Sequence, residues 1–272
     1  MTGYLKLLKQ ISGEIREEII KLLKEDVSFF SEKLGLNPSM QFTRRIDKIA
    51  EDIVVQKIVE ENITTYLISE ELGEKIIGEG EPEIFIVVDP VDGTKNAIQR
   101  IPFFSTSLAL GEYEETIYAD SVKVGLVKDI YNNVTFYAER GKGAYENGEK
   151  ISTSRVLKAD NSLISLYAYR ANIDYDKYIK ITRAAKTRTM GSQALELCYV
   201  ASGRIDACID LRGVSRVVDV SAAKLILEEA GGLFRDLNGL EFNPPLKHAN
   251  TFSFIAAPNR EYLEDLKNLL KI

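Results

Sequence analysis

Two aspartates lie three residues apart where an apolar run ends, in the segment Asp89-Pro90-Val91-Asp92-Gly93-Thr94. The run itself, residues 84–88, is typical of a strand covered on both faces, and Pro90 ends it because proline has no N–H to donate. Across the resulting turn, both carboxylates and the Val91 carbonyl can point into one small volume. Converging carboxylates raise each other's pKa unless a cation lies between them, and oxygen ligands favour Mg²⁺. The segment therefore predicts a magnesium site, although Asp92-Gly93 alone is also an ordinary turn dipeptide.

Further carboxylates stand at the ends of other predicted elements. Glu70 and Glu71 follow a predicted short strand over residues 65–68, so both acidic pairs emerge at strand ends, the usual place for ligand sites in α/β sheets. Asp219 stands at the predicted N-cap of a helix over residues 220–230. Its carboxylate has lone pairs for the free amides of the helix and for a metal ion, so the two roles are compatible.

Three segments, taken together and in this order, resemble the inositol monophosphatase family of the metal-dependent, lithium-sensitive phosphatase superfamily. They are residues 68–73, which contain a Glu-Glu pair, residues 89–94, and residues 218–223, where the family has a Trp-Asp-x-Ala motif. Val218 replaces the usual Trp, a change that affects packing behind the ligand and not the ligand itself. The resemblance extends over most of the chain, from about residue 47 to residue 232.

The resemblance implies a fold and a reaction. The fold is α+β, a layered α-β-α-β-α sandwich of the sugar phosphatase type, in a single phosphatase domain over residues 1–272 with halves at about 1–150 and 151–272. The hydropathy pattern alone indicates only mixed α and β structure. The implied reaction is hydrolysis of a phosphomonoester by a water that two or three Mg²⁺ ions activate, with Mn²⁺ as a possible substitute.

The resemblance also implies the residues of the reaction. The metal ligands are Glu70, Asp89, the Val91 carbonyl, Asp92 and Asp219, and the catalytic residues are Asp47, Thr94 and Glu70. The Thr94 hydroxyl, bonded to Asp47, would orient the attacking water. Asp47 has an alternative role, because an acidic side chain in the first turn of a predicted helix over residues 45–61 favours the helix itself.

A further set of residues is expected to bind the substrate. It comprises Asp92, Gly93, Thr94, Arg188, Ser192, Gln193 and Arg212. Inositol-preferring members carry an acidic residue seven positions before the last metal aspartate, where this chain has Arg212, and archaeal-type members that act on both fructose 1,6-bisphosphate and inositol phosphate look similar at Arg188, Arg212 and Arg216. Arg188 and Arg212 are therefore expected to bind the phosphate that is not cleaved, because guanidinium forks suit phosphate oxygens. Each arginine alone has a surface salt bridge as its alternative, and no role is assigned to Glu71, Arg170 or Arg216.

Other functions remain as alternatives. Aspartyl-phosphate phosphatases of the haloacid dehalogenase type use Asp-x-Asp-Gly-Thr, whereas two residues, Pro90 and Val91, separate the aspartates here. A 3′-phosphoadenosine 5′-phosphate phosphatase and a non-catalytic phosphoester-binding regulator of the same fold both stay open. A structural Ca²⁺ module conflicts with the lack of an EF-hand pattern, and no phosphate loop of the nucleoside triphosphatases occurs.

Composition limits the partners. At 45% hydrophobic residues the chain can bury a large core, and a net charge of −6 argues against nucleic acid as the main partner. Without a membrane-length apolar run or a signal-peptide pattern, the expected location is the cytoplasm. Cys198 and Cys208 are expected to be buried, reduced thiols. The expected partner is a small phosphoester, and the family resemblance favours a homodimer.

Hydrophobic periodicity predicts the elements around the site. It predicts a long amphipathic helix over residues 4–34, a surface loop over residues 74–82 and an antiparallel meander between residues 103 and 138. Asn147-Gly148 predicts a hairpin turn. His248, the only histidine, is expected in a polar loop, which gives histidine acid–base chemistry little basis.

Overall fold

The computed structural model of the chain describes residues 3–169 and 173–272. The helices are α1 (Gly3–Leu22), α2 (Val27–Phe30), α3 (Arg45–Glu60), α4 (Thr94–Gln99), α5 (Tyr175–Ala184), α6 (Gln193–Ala201), α7 (Val217–Glu229) and α8 (Arg260–Leu270). The strands up to residue 150 are β1 (Lys33–Leu36), β2 (Phe42–Arg44), β3 (Thr65–Ser69), β4 (Gly73–Ile77), β5 (Ile84–Asp92), β6 (Ser105–Glu112), β7 (Val124–Asp129), β8 (Val134–Glu139), β9 (Ala144–Glu146) and β10 (Glu149–Lys150). The later strands are β11 (Leu163–Tyr167), β12 (Lys186–Arg188), β13 (Ala207–Arg216), β14 (Leu233–Arg235) and β15 (Thr251–Ala257).

The strands form two large sheets that lie in successive parts of the chain. The first has the order β10-β9-β8-β7-β6-β5-β3-β4, and the second has the order β12-β11-β13-β15-β14. Helices α1 and α3 cover one face of the first sheet, α6 and α7 lie between the two sheets, and α5 and α8 cover the outer face of the second. The predicted α-β-α-β-α layering is therefore confirmed, whereas the division into halves near residue 150 stays a prediction.

Strand β5 is the centre of the first sheet. All nine of its residues are buried, and it pairs parallel with β3 and antiparallel with β6. Phe85 and Val87 face the core beneath α6 and α7, while Ile86 and Val88 face the core beneath α1 and α3. Because both faces are covered, the strand is a continuous apolar run and not an alternating one.

The first predicted helix is wrong in its length. Helix α1 ends at Leu22, and Asp26 caps a separate short helix by accepting a hydrogen bond from the Ser28 amide at 2.8 Å. The apolar residues that follow belong to an antiparallel hairpin of β1 and β2. Their spacing fits a helix and a strand about equally well over so short a stretch, so the periodicity did not distinguish them.

Two smaller predictions are also corrected. The predicted loop over residues 74–82 contains β4, which pairs antiparallel with β3 through residue 77. Asp219 is not the N-cap of its helix, because α7 begins at Val217 and Asp219 is its third residue. The antiparallel meander is present as β6, β7 and β8.

The hairpin at Asn147-Gly148 is present between β9 and β10. Both residues have positive φ, 49° and 94°, as a two-residue hairpin turn of the favoured type requires. Cys198 and Cys208 are buried and free, as expected. Within the described residues, no helix has the length and apolar character of a membrane span.

Candidate active site

The two aspartates of the central segment reach the same side of the sheet through a bulge in β5. Residues three apart on a regular strand point to opposite faces. Here Asp89 pairs with Ser107 and Asp92 pairs with Ser105. Between these two pairs, β5 therefore contains one more residue than β6. The extra residue turns the chain, and both carboxylates line one cleft.

This cleft has a volume of about 310 Å³. Its lining includes four carboxylates, those of Glu70, Asp89, Asp92 and Asp219. Val91, Gly93, Thr94, Gln193, Arg212 and Arg216 also line it. The structure thus brings together every predicted metal ligand, from the ends of β3 and β5 and the start of α7.

The carboxylates of the cleft disfavour one another's charge. Burial, and then the charges of Glu70, Asp92 and Asp219, raise the pKa of Asp89 well above its ordinary value. Burial also raises the pKa of Asp92 to about 7. Acids in this state require nearby positive charge if they are to be ionised at neutral pH.

Arg216 supplies part of that charge. Its Nη2 group donates to Glu70 Oε1 at 2.6 Å and to Asp219 Oδ1 at 2.8 Å. Arg212, the second arginine of the lining, is paired with Asp210, so the four carboxylates share one guanidinium. No group of three His, Cys, Asp or Glu side chains in the described chain has the spacing of a formed metal site. By charge and by their all-oxygen chemistry, the residues nevertheless fit a divalent cation such as Mg²⁺.

Thr94 and Asp47 are in direct contact. The Thr94 hydroxyl lies 2.8 Å from Asp47 Oδ1 and 2.9 Å from the Val91 carbonyl oxygen. The Arg44 amide donates to Asp47 Oδ2 at 3.0 Å, so Asp47 also stabilises the first turn of α3. Its two oxygens thus make different contacts, Oδ1 with Thr94 and Oδ2 with the start of α3, so the two roles considered for Asp47 are compatible.

Asp219 is held in the same way at the start of α7. The Arg216 amide donates to Asp219 Oδ2 at 2.7 Å, as the Arg44 amide does to Asp47 in α3. Each helix thus begins with an acidic third residue that accepts a hydrogen bond from the residue before the helix. The backbone fixes both side chains at the edge of the cleft.

Asp92 is held from the second half of the chain. Its Oδ2 accepts hydrogen bonds from the Ser192 hydroxyl and from the Ala194 amide, both at 2.7 Å. Gly93 has φ 91°, and a Cβ there would lie 3.0 Å from the Gly191 carbonyl oxygen. The corner after β5 therefore requires glycine and packs directly against the start of α6.

The predicted substrate-binding residues differ in their placement. Gln193 lines the cleft, and its Nε2 group donates to Asp210 at 2.9 Å. Ser192 is fully buried and contacts Asp92 and Ser105. Arg188 is exposed on β12, donates to the carbonyl of the preceding residue and does not line the cleft.

Arg212 lines the cleft but is already paired. Its Nε and Nη2 groups donate to the fully buried carboxylate of Asp210, at 3.1 and 2.6 Å to Oδ2. Its guanidinium lies 4.5 Å from the ring centre of Tyr167 and 4.8 Å from that of Tyr169. Within the described chain its Nη1 group makes no hydrogen bond, so the two N–H bonds of that group are left for a ligand. Arg170 lies outside the described residues.

A sequence profile of the inositol monophosphatase family matches residues 5–270. The chain belongs to the inositol monophosphatase family. A relative from Methanothermobacter thermautotrophicus, named fructose-1,6-bisphosphatase/inositol-1-monophosphatase, is 38% identical over 236 residues, 85% of this chain and 84% of the relative. The crystal structure of the MJ0109 gene product, an inositol monophosphatase–fructose 1,6 bisphosphatase, has a TM-score of 0.82 at 32% identity and covers 99% of this chain and 100% of its own.

A second relative in the inositol monophosphatase family is longer than this chain. The bifunctional NADP phosphatase/NAD kinase of Methanococcus maripaludis is 38% identical over 269 residues, which are 93% of this chain but 47% of that protein. The chain therefore spans about half the length of that relative. The predicted family and the predicted enzyme class, a hydrolase of phosphate monoesters, are confirmed. Members of this family are metal-dependent phosphatases that act on small phosphoesters.

Sequence reasoning missed Glu51. It is fully buried on α3, four residues after Asp47 and so on the same face of the helix. Its Oε1 accepts hydrogen bonds from the Ser69 hydroxyl and, at 3.1 Å, from the Leu72 amide, while Oε2 is buried with no partner in the described chain. Burial raises the pKa of Glu51 to about 7. Glu51 thereby fixes the turn that carries Glu70. The four-residue spacing between Asp47 and Glu51 was the sequence feature that could have predicted that both face the site.

Contacts at the edge of the site also went unpredicted. Glu71 accepts a hydrogen bond from Thr43 of the β1–β2 hairpin, which ties that hairpin to the acidic turn. His248 lies in a loop, as expected, but is buried, and its ring Nε2 is 3.3 Å from the Glu70 carbonyl oxygen. No local sequence pattern predicts contacts between segments so distant in the sequence.

Proposed function

We propose that this chain is a Mg²⁺-dependent phosphatase of small sugar or polyol phosphates, with fructose 1,6-bisphosphate and inositol 1-phosphate as its substrates. The observation that carries the proposal is the Thr94–Asp47 hydrogen bond at the edge of a cleft lined by four carboxylates. The names of the relatives support the choice of substrates. The expectation of a cytoplasmic homodimer stays a prediction.

Five groups would hold two or three Mg²⁺ ions, with Mn²⁺ as a possible substitute. They are the carboxylates of Glu70, Asp89, Asp92 and Asp219 and the carbonyl of Val91. When bound, Mg²⁺ offsets the charge of the phosphate oxygens and of the leaving group and acidifies a nearby water. Arg216, which now pairs with Glu70 and Asp219, would keep these two ligands oriented toward the cleft.

Thr94 and Glu70 would position the attacking water. A hydroxyl has one hydrogen to donate, and the Thr94 hydroxyl can donate it to Asp47 at 2.8 Å. The lone pairs of the Thr94 oxygen are then left to accept a hydrogen bond from the water. Glu70 would receive the proton that the water loses, because only its Oε1 is engaged by Arg216.

Arg212 would bind the phosphate that is not cleaved, through its Nη1 group. Because Asp210 offsets its charge, this contact is a directed hydrogen bond more than a bare charge attraction. Arg188 is a weaker candidate for the same role, since it lies outside the cleft.

The test compares Arg212→Gln with Arg188→Gln. Arg212→Gln should raise KM for fructose 1,6-bisphosphate about tenfold or more, as expected for the loss of a charged hydrogen bond, and should change KM for inositol 1-phosphate far less. Glutamine is chosen because a glutamate would add a second charge beside buried Asp210, which keeps Gln193 and Ser215 as donors. Arg188→Gln removes an arginine outside the cleft and should raise KM for fructose 1,6-bisphosphate less than Arg212→Gln does.

Phosphate release is measured for both substrates with Mg²⁺ and with EDTA. Equal losses on the two substrates in Arg212→Gln would reject the role of Arg212. Full turnover in EDTA would reject the metal dependence. No release from any phosphoester would favour the non-catalytic regulator.

One relative favours a second candidate substrate. The name of the Methanococcus maripaludis protein includes NADP phosphatase, and its similarity covers 93% of this chain. NADP and 3′-phosphoadenosine 5′-phosphate therefore belong in the same assay. If kcat/KM is higher for NADP than for fructose 1,6-bisphosphate, NADP and not the sugar phosphate is the main substrate.

A further inference from the structure

A second cavity, of about 340 Å³, lies between α1 and the strands β7 and β8. We call it the basic cavity. Its lining residues are Lys9, Ser12, Gly13, Lys128, Thr135, Tyr137, Asn147 and Gly148. None of these lines the active-site cleft, so the basic cavity is a separate feature of the molecule.

Lys128 is a buried cation at the wall of the basic cavity. It is only 9% exposed, and its Nζ donates to Thr135 Oγ1 at 2.9 Å and to the Asn133 carbonyl at 3.4 Å. Within residues 3–169 and 173–272 it has no carboxylate at ion-pair distance. Burial, and then the charge of Arg16, lower the pKa of Lys128.

The nearest acid does not form an ion pair with Lys128. Asp129 is the next residue of β7, so its side chain leaves the opposite face of the strand. Both of its oxygens are used, by the amide and the side-chain Nδ2 of Asn132, each at 2.9 Å. Asp129 favours the charged form of Lys128 only at a distance.

Helix α1 brings a second cation, Lys9, to the wall of the basic cavity, and Arg16 lies beyond the lining residues. Lys9, Ser12, Gly13 and Arg16 have the spacing i, i+3, i+4 and i+7, which forms one stripe on a helix. Lys9 Nζ lies 4.0 Å from the centre of the Tyr137 ring, and its charge also lowers the pKa of Lys128. Arg16 Nε is buried with no hydrogen-bond partner in the described chain.

Gly13 leaves room at the centre of this stripe. A Cβ built there would meet no atom within 4 Å, although glycine inside a helix is unfavourable relative to alanine. Gly148, on the opposite wall, likewise has open space beside it. The two glycines keep the volume between the cations free.

We infer that the basic cavity binds a small anion through a phosphate group, either free phosphate or the phosphate of a phosphomonoester. The charges of Lys9 and Arg16 disfavour the charged form of Lys128, and a dianion in the cavity would offset that cost. The Lys128 and Lys9 ammonium groups at the wall of the cavity supply the donors that phosphate oxygens accept. The volume is at the small end of the range for ligand sites, which suits a phosphate or a compact phosphomonoester.

Isothermal titration with inorganic phosphate and with fructose 6-phosphate, in EDTA and at constant ionic strength, tests this site. EDTA leaves the carboxylates of the active-site cleft without metal, so that cleft disfavours anions. The parent should bind, and Lys128→Met should weaken binding about tenfold or more. Lys123→Met, at an exposed lysine five residues earlier in the chain, removes the same charge and should leave the affinity unchanged.

Gly13→Leu provides an independent variant. It keeps both lining lysines and fills the open space, so it should weaken binding as Lys128→Met does, and it decides the matter if Lys128→Met does not fold. Tighter binding of fructose 6-phosphate than of phosphate would identify a phosphomonoester as the ligand, and equal binding would identify phosphate alone. Absence of binding in the parent, or equal affinity in the parent and Gly13→Leu, would overturn the inference.

Discussion

The active-site cleft and the basic cavity are both clusters of like charge, and they differ in how that charge is compensated. In the cleft, Arg216 pairs with two carboxylates, and Asp92 accepts hydrogen bonds from the start of α6. In the basic cavity, Lys128 donates only to uncharged acceptors within the described chain. The protein's own residues therefore offset part of the charge of the active-site cleft, whereas a ligand would have to offset the charge of the basic cavity.

The largest expected effect is on catalytic activity, which should depend on the active-site cleft and not on the basic cavity. Asp92→Asn should lower kcat/KM about 10²- to 10³-fold or more, because it removes a charge from the reacting centre. The fold should persist, since an asparagine oxygen can still accept from Ser192 and Ala194. Lys128→Met should leave kcat/KM unchanged in the same phosphate-release assay. A loss of activity in Lys128→Met would mean that the basic cavity takes part in the reaction and that the contrast is false.

A second prediction concerns the water in the cleft. Thr94→Ala should lower kcat about 10²-fold or more with little change in KM, the pattern of an interaction made chiefly in the transition state. Thr94→Ser keeps the hydroxyl and should retain most of the activity. Steady-state kinetics on inositol 1-phosphate measures both variants. Equal kcat in Thr94→Ala and the parent would mean that the hydroxyl does not position the water.

The third effect is on stability and concerns Glu51, a buried acid that forms no ion pair within the described residues. Its folded pKa, about 7, lies above the ordinary value of 4.5. The folded state therefore binds the proton more tightly than the unfolded state, and the resulting stability is present at low pH and is lost as pH rises from 4.5 through about 7. Relative to Glu51→Gln, the parent should lose up to about 3 kcal/mol of unfolding free energy over that range.

Urea unfolding at several pH values measures this difference. Glu17→Gln, at an exposed carboxylate on α1, is the control and should follow the parent. Identical pH dependence in Glu51→Gln and the parent would show that Glu51 keeps its ordinary pKa in the folded protein.

The sequence allowed the core of the site to be predicted because the information was local. Asp89, Pro90, Val91, Asp92 and Gly93 occupy one turn, whose chemistry and geometry follow from neighbouring residue types. The buried strand before it was equally clear, since an uninterrupted apolar run of that length suits a strand covered on both faces. The layers of the fold came from the family resemblance and not from the pattern.

Other features depend on contacts that sequence spacing does not encode. The end of α1 at Leu22 was missed because apolar residues continue into the β1–β2 hairpin. The pairing of Arg216 with Glu70 joins residues 146 positions apart. Arg188 is exposed and does not line the cleft, and exposure is a property of the folded chain.

The hydrogen bonds from Ser192 and Ala194 to Asp92 have a consequence for engineering the protein. Asp92 lies in the part of the chain that forms the first sheet, whereas its two donors lie 100 and 102 residues later, at the start of α6. A gene divided between the two sheets would therefore encode two polypeptides, neither with a correctly held Asp92. Reassembly of the two polypeptides would restore phosphate release. The chain therefore has the layout of a split reporter, in which each polypeptide is fused to one of two binding partners and the signal appears when these partners bind each other.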